Sequence, residues 1–240
     1  MKSKIALLTL ALVGLIAVSC DYETVRASGE VSVNEVRLSD YSRLKVSNAF
    51  NAYVTFSDTE EKIEVEANDN LHDKIIVNKE GNTLVVRLKR HTNVKGNATM
   101  NIFITTKSIS HFDISGASTI TLENELHSPD VEIELSGASE FSGDLYTNEL
   151  FIDASGASKT DLFGTTEYLG ISLSGSSTVQ GYGLVSDQLK MDLSGASDAY
   201  LTVTQTIDVE ASGASKLYYK GNATVVHKDL SGASELIKKE

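Results

Sequence analysis

The second half of the chain alternates apolar and polar residues in short runs that end at one recurring tetrapeptide. Before each tetrapeptide, the first, third and fifth positions are mostly apolar, as in Leu135, Ile133 and Val131. Alternation with a period of two is the pattern of a half-buried β-strand. A second, weaker alternation follows the tetrapeptide, as in residues 119–122 and 159–162. Each unit is therefore predicted to be a strand, a tight corner, a second strand and a looser return.

The tetrapeptide recurs seven times at a nearly constant spacing. From the first serine of one copy to that of the next, the steps are 21, 19, 19, 20, 18 and 19 residues. The copies are Ser-Gly-Ala-Ser at 115–118, 136–139, 155–158, 194–197, 212–215 and 231–234, and Ser-Gly-Ser-Ser at 174–177. One unit of this length cannot bury its apolar face alone, so it has to stack on its neighbours. The pattern predicts an all-β fold, a parallel β-helix whose seven corners span about 29 Å at about 4.8 Å per coil.

Each residue of the corner has an expected structural role. The glycine is expected to adopt a backbone conformation that a side chain would hinder, the alanine to turn inward, and the serines to form ladders along the stack. A nucleophilic serine needs a base beside it. No histidine recurs with the motif, since His111 and His227 precede it by four residues in two copies only. We therefore interpret the serines as corner residues and assign no catalytic residue.

A column of acidic residues is predicted at an outward-facing strand position two residues before the tetrapeptide. Its members are Asp113, Glu134, Asp153, Asp192, Glu210 and Asp229, and Ser172 takes the position in the fourth copy. Carboxylates about 4.8 Å apart repel one another, so a cation such as calcium could bridge them, or Lys190 and Lys228 could screen them. The alternative is a solvated acidic face, which we favour. The column is the candidate for a metal site.

Residues 31–110 lack the tetrapeptide and its regular spacing. Six runs alternate as strands, at 31–33, 44–46, 52–56, 63–67, 84–88 and 102–104. Since the end of a solenoid would otherwise expose apolar surface and unpaired strand edges, this region is expected to cap the stack or to supply irregular first coils. It is expected to be continuous with residues 111–240 as one domain.

The start of the chain reads as an export signal over residues 1–19. Lys2 and Lys4 precede an apolar stretch from Ile5 to Val18 that is too short to span a membrane comfortably. Cys20 is the only cysteine in the sequence, so no intramolecular disulfide is possible. Its position resembles that of the lipid-modified cysteine of bacterial lipoproteins. This resemblance implies a membrane anchor through acylated Cys20, with residues 20–30 as the lipidated cysteine and a short tether.

Composition and charge narrow the classes of partner. The formal net charge is −12, and removal of residues 1–19 with Lys2 and Lys4 leaves 19 basic against 33 acidic residues, or −14. Because a nucleic-acid-binding surface needs a basic stripe, nucleic acid is not expected as a partner. The five histidines lack metal-ligand spacing, so neither a zinc site nor a cofactor is expected; they are His72, His91, His111, His127 and His227.

Residues 40–235 resemble the family named putative auto-transporter adhesin, head GIN domain. The resemblance lies in residues 50–56, in residues 82–86, in a strand at 102–105 that leads into residues 112–118, and in the serial Ser-Gly-Ala-Ser units. It implies a right-handed β-helix that Bacteroidota export as a lipoprotein. The implied location is the outer membrane, at the cell surface or else facing the periplasm. The family brings no catalytic residues with it.

Three functions remain open from the sequence. The first is a non-enzymatic cell-envelope module that binds a glycan, a matrix component or an envelope partner through its flat faces. The tyrosines best placed for sugar stacking would be Tyr182, Tyr200, Tyr218 and Tyr219. The second is a polysaccharide lyase or hydrolase, which needs carboxylates placed across a cleft, although coils of such uniform length provide no long loops to wall one. The third is a periplasmic structural or sensing protein.

Overall fold

The computed structural model describes residues 23–240, and no helix among them is long and apolar enough to cross a membrane. This part of the chain forms twenty strands and one short 3₁₀-helix, Asp69–Lys74. The strands are β1 (Glu23–Arg26), β2 (Val31–Val36), β3 (Arg43–Val46), β4 (Asn51–Phe56), β5 (Lys62–Asn68), β6 (Ile75–Glu80), β7 (Thr83–Leu88), β8 (Thr92–Lys95), β9 (Met100–Thr106), β10 (His111–Ile114), β11 (Thr119–Leu122), β12 (Leu126–His127), β13 (Asp130–Leu135), β14 (Glu140–Ala154), β15 (Lys159–Leu173), β16 (Thr178–Leu193), β17 (Asp198–Ala211), β18 (Lys216–Lys220), β19 (Thr224–Leu230) and β20 (Glu235–Lys238).

The repeats stack as a solenoid of parallel β-coils, about seven turns in all, as the spacing predicts. The strand segment before each corner pairs in parallel with the equivalent segment of the next coil, through β10, β13, the second halves of β14–β17, and β19. The segment after each corner does the same, through β11, the first halves of β14–β17, β18 and β20. We call the outward surfaces of these two ladders the pre-corner face and the post-corner face.

The N-terminal strands join the same stack, but not in chain order. The coil of β3 and β4 lies between the coil of β10 and β11 on one side and that of β7 and β9 on the other. After β4 the chain passes through β5 and β6 and then places β7 and β9 on the side of the β3–β4 coil that faces away from the repeats. It next crosses to the side that faces the repeats, where β10 begins. Antiparallel strands close this end, with β6 against β7, β5 against β9, and β2 against β5. An eighteen-stranded sheet results, and β1 and β8 form a separate parallel pair.

Every corner glycine has a left-handed backbone, as predicted, with φ between 64° and 78°. In the last five copies, a Cβ built on the glycine would lie 2.3–2.6 Å from the glycine carbonyl oxygen of the preceding coil. The next residue donates its backbone N–H to that same carbonyl; the N–H of Ala196, for example, lies 2.8 Å from Gly175 O. The glycine therefore permits both the turn and the close approach of successive coils.

The corner alanine is exposed, so the prediction that it turns inward is wrong. The fourth residue of the tetrapeptide points inward instead, and the serines at this position in the first six copies are 0–1% exposed. In five of these six, the hydroxyl donates to the carbonyl of the first serine in its own copy, at 2.7–3.0 Å. A serine hydroxyl is short enough to donate its hydrogen bond to a carbonyl within the corner, so serine can be buried there. The alanine that faces outward has only its backbone N–H to pair.

An additional corner, at Ser47, Asn48 and Ala49, lacks the tetrapeptide. Asn48 and Ala49 have φ of 69° and 63°, and Ala49 donates its N–H to Gly116 O at 2.9 Å. Asparagine tolerates the left-handed region better than most residues, and the side-chain oxygen of Asn48 accepts the N–H of Leu88 at 3.2 Å. Phe50 takes the inward position that serine holds in the repeats and is fully buried.

The core is one column of apolar side chains that runs through the interior of the stack. Inward positions before successive corners are filled by Ile114, Leu135, Ala154, Leu173, Leu193 and Ala211. Phe112 and Phe141 meet edge to face, with ring centroids 5.1 Å apart. The interior is continuous from the N-terminal coils into the repeats, because the same cluster includes Leu44 and Leu84.

We expect Gly195→Ala to lower the free energy of unfolding by at least about 2 kcal/mol, because its Cβ would meet Gly175 O at 2.4 Å on a left-handed backbone. Ala196→Ser is the matched control, since serine occupies the equivalent position, Ser176, in the fourth copy. Urea unfolding followed by circular dichroism measures both variants. Equal stability of the two variants would contradict the role given to the glycine.

A pair of serine variants tests the inward hydroxyls. Ser197→Ala should cost about 1 kcal/mol, because its buried hydroxyl donates to Ser194 O at 3.0 Å. Ser118 is equally buried, but its hydroxyl has no partner among residues 23–240, so Ser118→Ala should be neutral or stabilising. Thermal unfolding of the two variants side by side gives the comparison, and a larger loss for Ser118→Ala would contradict it.

Candidate functional site

The pre-corner face carries the predicted acidic residues in one column. The parallel register pairs Asp113 with Glu134, Glu134 with Asp153, Asp153 with Ser172, Ser172 with Asp192, Asp192 with Glu210 and Glu210 with Asp229. Five of the six carboxylates are exposed and Asp113 is half-buried. Lys45 lies next to Asp113 in the register and forms an ion pair with it. The column therefore starts with a compensated charge and continues as an open acidic strip.

A second column lies beside the acidic one, two residues further from the corner. It contains Arg43, His111, Glu132, Phe151, Gly170 and Lys190 in consecutive coils. The first three members form a hydrogen-bonded cluster around the buried ring of His111. Its Nδ1 lies 2.6 Å from a Glu132 oxygen, and its Nε2 lies 2.9 Å from Arg43 Nη2.

His111, Glu132 and Glu134 are the residues whose possible metal-ligand atoms converge within 4.8 Å in the described part of the chain. The spacing of the histidines in the sequence does not reveal this group, because two different coils supply it. Since a guanidinium can only donate hydrogen bonds, Arg43 requires Nε2 of His111 to accept, and Nδ1 then donates to Glu132. An ion at Nε2 would have to displace Arg43, so the cluster is a closed hydrogen-bond network.

An exposed aromatic pair occupies the middle of the pre-corner face. Phe151 is 42% exposed, and its ring centroid lies 5.7 Å from that of Tyr168 in the next coil. The Phe151 ring leans over Gly170, where an added Cβ would lie 2.7 Å from Phe151 Cδ1 and 3.4 Å from Tyr168 Cε1. Gly170 therefore makes room for the Phe151 ring, and the two rings and Gly170 border a depression in the face.

A groove of about 330 Å³ surrounds this depression. Its polar lining comes from Glu132, Asp153, Ser172, Lys190 and Asp192. A second groove of about 550 Å³ adjoins it and shares Glu132 and Phe151 with it. The second groove adds Arg43, Asn82 and Ser110 from the N-terminal coils. Together the two grooves extend across several coils of the pre-corner face.

The tyrosines singled out from the sequence lie elsewhere. Tyr182, Tyr200 and Tyr218 form a ladder on the post-corner face, with centroids 5.7 and 4.8 Å apart. Lys220 and Lys239 cover the outer rings at 5.2 and 5.1 Å.

The environment of this ladder is structural. Partial burial raises the pKa of Tyr200, and the charge of Asp198 adds to the rise; partial burial also raises the pKa of Tyr182. Tyr219 is only 8% exposed. These rings are engaged within the protein, whereas Phe151 is exposed and Tyr168 lies half-buried beside it. The sequence could have identified Phe151, because it alternates with the apolar residues Leu150 and Ile152, which are buried, and must therefore face outward.

The fold and this face define the class of the protein: a β-solenoid with an open, grooved lateral surface. The chain belongs to the family described as putative auto-transporter adhesin, head GIN domain, whose match spans residues 40–223. The resemblance drawn from the tetrapeptides is thereby confirmed.

Several solved structures share the fold. A putative adhesin from Bacteroides fragilis NCTC 9343 is 21% identical with a TM-score of 0.77, over 89% of this chain and 97% of that one. A putative adhesin from Parabacteroides merdae ATCC 43184 is 16% identical with a TM-score of 0.72, over 90% and 99%. A putative lipid binding protein from Parabacteroides distasonis ATCC 8503 is 15% identical with a TM-score of 0.76, over 91% and 100%. No curated protein matches the chain.

Neutralising one carboxylate tests whether the acidic column is a solvated, self-repelling strip. We expect Asp192→Asn to raise stability by a few tenths of a kcal/mol at low salt, because Asp192 lies next to Glu210 in the register. The gain should shrink at about 1 M salt, where screening is nearly complete. Thermal unfolding at the two ionic strengths is the measurement.

The matched control is Glu235→Gln, which should lower stability because Glu235 pairs with Lys216 at 2.7 Å. Calcium that stabilises the native chain beyond sodium at equal ionic strength, and that loses this effect in Asp192→Asn, would instead identify the column as a cation site.

Proposed function

We propose that the protein is a non-enzymatic, adhesin-like module of the cell envelope that binds a glycan, a matrix component or an envelope partner through the pre-corner face. The observation that carries the proposal is the open groove across successive coils, bordered by the exposed ring of Phe151. Contiguous exposed apolar surface with a polar rim is typical of binding sites. The family to which the chain belongs gives independent support.

The regularity of the coils supports binding rather than catalysis. Strands β14, β15, β16 and β17 have 15, 15, 16 and 14 residues, so the groove has no long loops as walls over these coils. Inward serines of the corners donate to backbone carbonyls in most copies and are buried, which removes them from any substrate. Catalysis on a polysaccharide would need acid and base groups held across a closed cleft.

Membrane attachment is the second part of the proposal. Cys20 and the rest of residues 1–22 lie outside the described residues, so this part rests on the sequence pattern. Acylation of Cys20 would tether the solenoid to the outer membrane. The tether predicted over residues 20–30 is shorter than expected, because strand β1 begins at Glu23 and pairs with β8. In this arrangement, the N-terminal coils lie closest to the membrane, since the chain enters the fold at β1.

Protease treatment of intact cells tests the location. We expect proteinase K to remove the solenoid signal on immunoblots while a periplasmic marker protein survives. We also expect Cys20→Ser to abolish metabolic labelling with palmitate and to release the protein from the outer-membrane fraction, whereas Ser28→Ala, which lies after β1, should change neither property. Protection of the native protein until the outer membrane is opened would contradict surface exposure and leave the periplasmic alternative.

Adhesion of a deletion strain tests the binding function itself. Cells that lack the protein should attach less to glycan- or matrix-coated surfaces, and the native gene should restore attachment. Native attachment by the deletion strain on every surface would remove the support for an adhesin-like role.

A further inference from the structure

We infer that the depression between Phe151 and Tyr168 is a subsite for one ring of a neutral glycan whose chain continues along the two adjoining grooves. This inference rests on the proposed binding function and specifies the chemistry of its ligand. The occupant is an uncharged, polyhydroxylated sugar chain.

The aromatic pair supplies the apolar half of sugar recognition. Phe151 is exposed at a position where the neighbouring coils carry Glu132 and Gly170, so no ring from an adjacent coil in that column stacks on it. Gly170 lets the ring lie against the coil, because any side chain at this position would take the same space, and the ring still keeps 42% of its surface exposed to the groove. The apolar C–H face of a pyranose can therefore lie against Phe151, with Tyr168 as the side wall and a hydroxyl donor.

The groups around the rings supply the polar half. Glu132, Asp153 and Asp192 line the same groove, and ionised carboxylates only accept hydrogen bonds. Lys190 lies beside Gly170 in the register and only donates. Sugar hydroxyls both donate and accept, so one ring can satisfy carboxylate and ammonium partners at once.

The charge of the face selects against anionic ligands. Carboxylates outnumber the lysine and arginine side chains in the two grooves. They are Asp130 and Glu132 in the larger groove and Glu132, Asp153 and Asp192 in the smaller one, against Arg43 and Lys190. A uronate or phosphate-bearing glycan would meet several carboxylates at the distance of one coil and be repelled.

A basic peptide fits the groove less well than a neutral sugar. Its cations would meet Arg43 at one end of the groove and Lys190 near the other. A lysine side chain would also leave the flat ring of Phe151 without a matching flat partner, because its ammonium is a compact point charge. The continuation past Ser110 and Asn82 offers further neutral hydrogen-bonding groups, which suit additional sugar units.

The chain contains no tryptophan, so a single introduced tryptophan is the only source of indole fluorescence and gives a direct test. Phe151→Trp keeps a flat ring in the depression. We expect its fluorescence to shift when the full-length protein is titrated with hexasaccharides of glucose, mannose, galactose or N-acetylglucosamine, with at least one of them saturating. The matched control is Phe163→Trp, because Phe163 is 47% exposed and leans over Gly183 in the same way, but lies outside both grooves. Its fluorescence should not change.

Loss variants then test the two halves of the site by calorimetry with the same hexasaccharide. Phe151→Ala should weaken binding at least about tenfold, which corresponds to about 1.4 kcal/mol. Asp153→Asn should weaken it less, because the amide still accepts one hydrogen bond. Affinity for the neutral sugar should be insensitive to salt between low and physiological ionic strength.

Three outcomes would overturn the inference, and they separate it from the proposed function. If native cells adhere and Phe151→Ala cells do not, yet no neutral hexasaccharide binds, the face functions but its ligand is not a neutral glycan. If polylysine competes for the face and the competition disappears at high salt, the ligand is a basic peptide. If adhesion and hexasaccharide binding are both absent in the native protein, the proposed function fails together with the inference.

Discussion

The structure depends on one backbone interaction, repeated at the last five corners: an N–H of one coil donated to the glycine carbonyl of the coil before it. In the last five copies the corner glycines approach so closely that a Cβ would overlap the carbonyl oxygen below. This contact fixes the height of each coil and its rotation relative to the previous one. Because side chains alternate between the two faces of a strand, a shift of one residue would turn every core residue outward. The corner thus determines which residues reach the core and which reach the groove.

The N-terminal coils show that the geometry, rather than the glycine itself, is required. At Asn48 and Ala49 the left-handed turn forms without glycine, and the asparagine side chain takes the N–H of Leu88 as an additional partner. Phe50 fills the space at the inward position that a serine occupies in the repeats. This corner is the first in the chain, yet its coil lies between two coils that form later in the sequence. A folding chain must therefore leave both sides of the β3–β4 coil open until β7, β9 and β10 have been added.

The repeat made the fold and the columns predictable, because a fixed period places equivalent residues in register without further information. The solenoid and the alignment of Asp113 through Asp229 followed from spacing alone. The order of the N-terminal coils could not be predicted from the sequence, because alternation identifies strands but does not show which strands pair. The inward position of Ser197 was missed because hydropathy favours alanine, and a hydrogen bond within the corner reverses that preference. The His111 cluster and the Phe151 groove join side chains of different coils, which become neighbours only once the register is known.

Departures from the repeat carry the functional information in such a protein. Identical residues in successive coils can stabilise each other by stacking, as in the tyrosine ladder, where the parallel rings of Tyr200 and Tyr218 bury each other. Phe151 has no ring to stack on in its own column, where the next residue is Gly170; it lies over that glycine and beside Tyr168 instead. An exposed phenylalanine over a glycine gives up cross-strand stabilisation that a pair of β-branched residues would provide. The solenoid tolerates this loss of cross-strand stabilisation because the corner hydrogen bonds and the apolar core already hold the coil to both of its neighbours. Phe163 lies over Gly183 in the same way but outside both grooves, so the groove and its polar lining are what distinguish Phe151. The proposed function takes a ligand in that groove to be the partner of the Phe151 side chain.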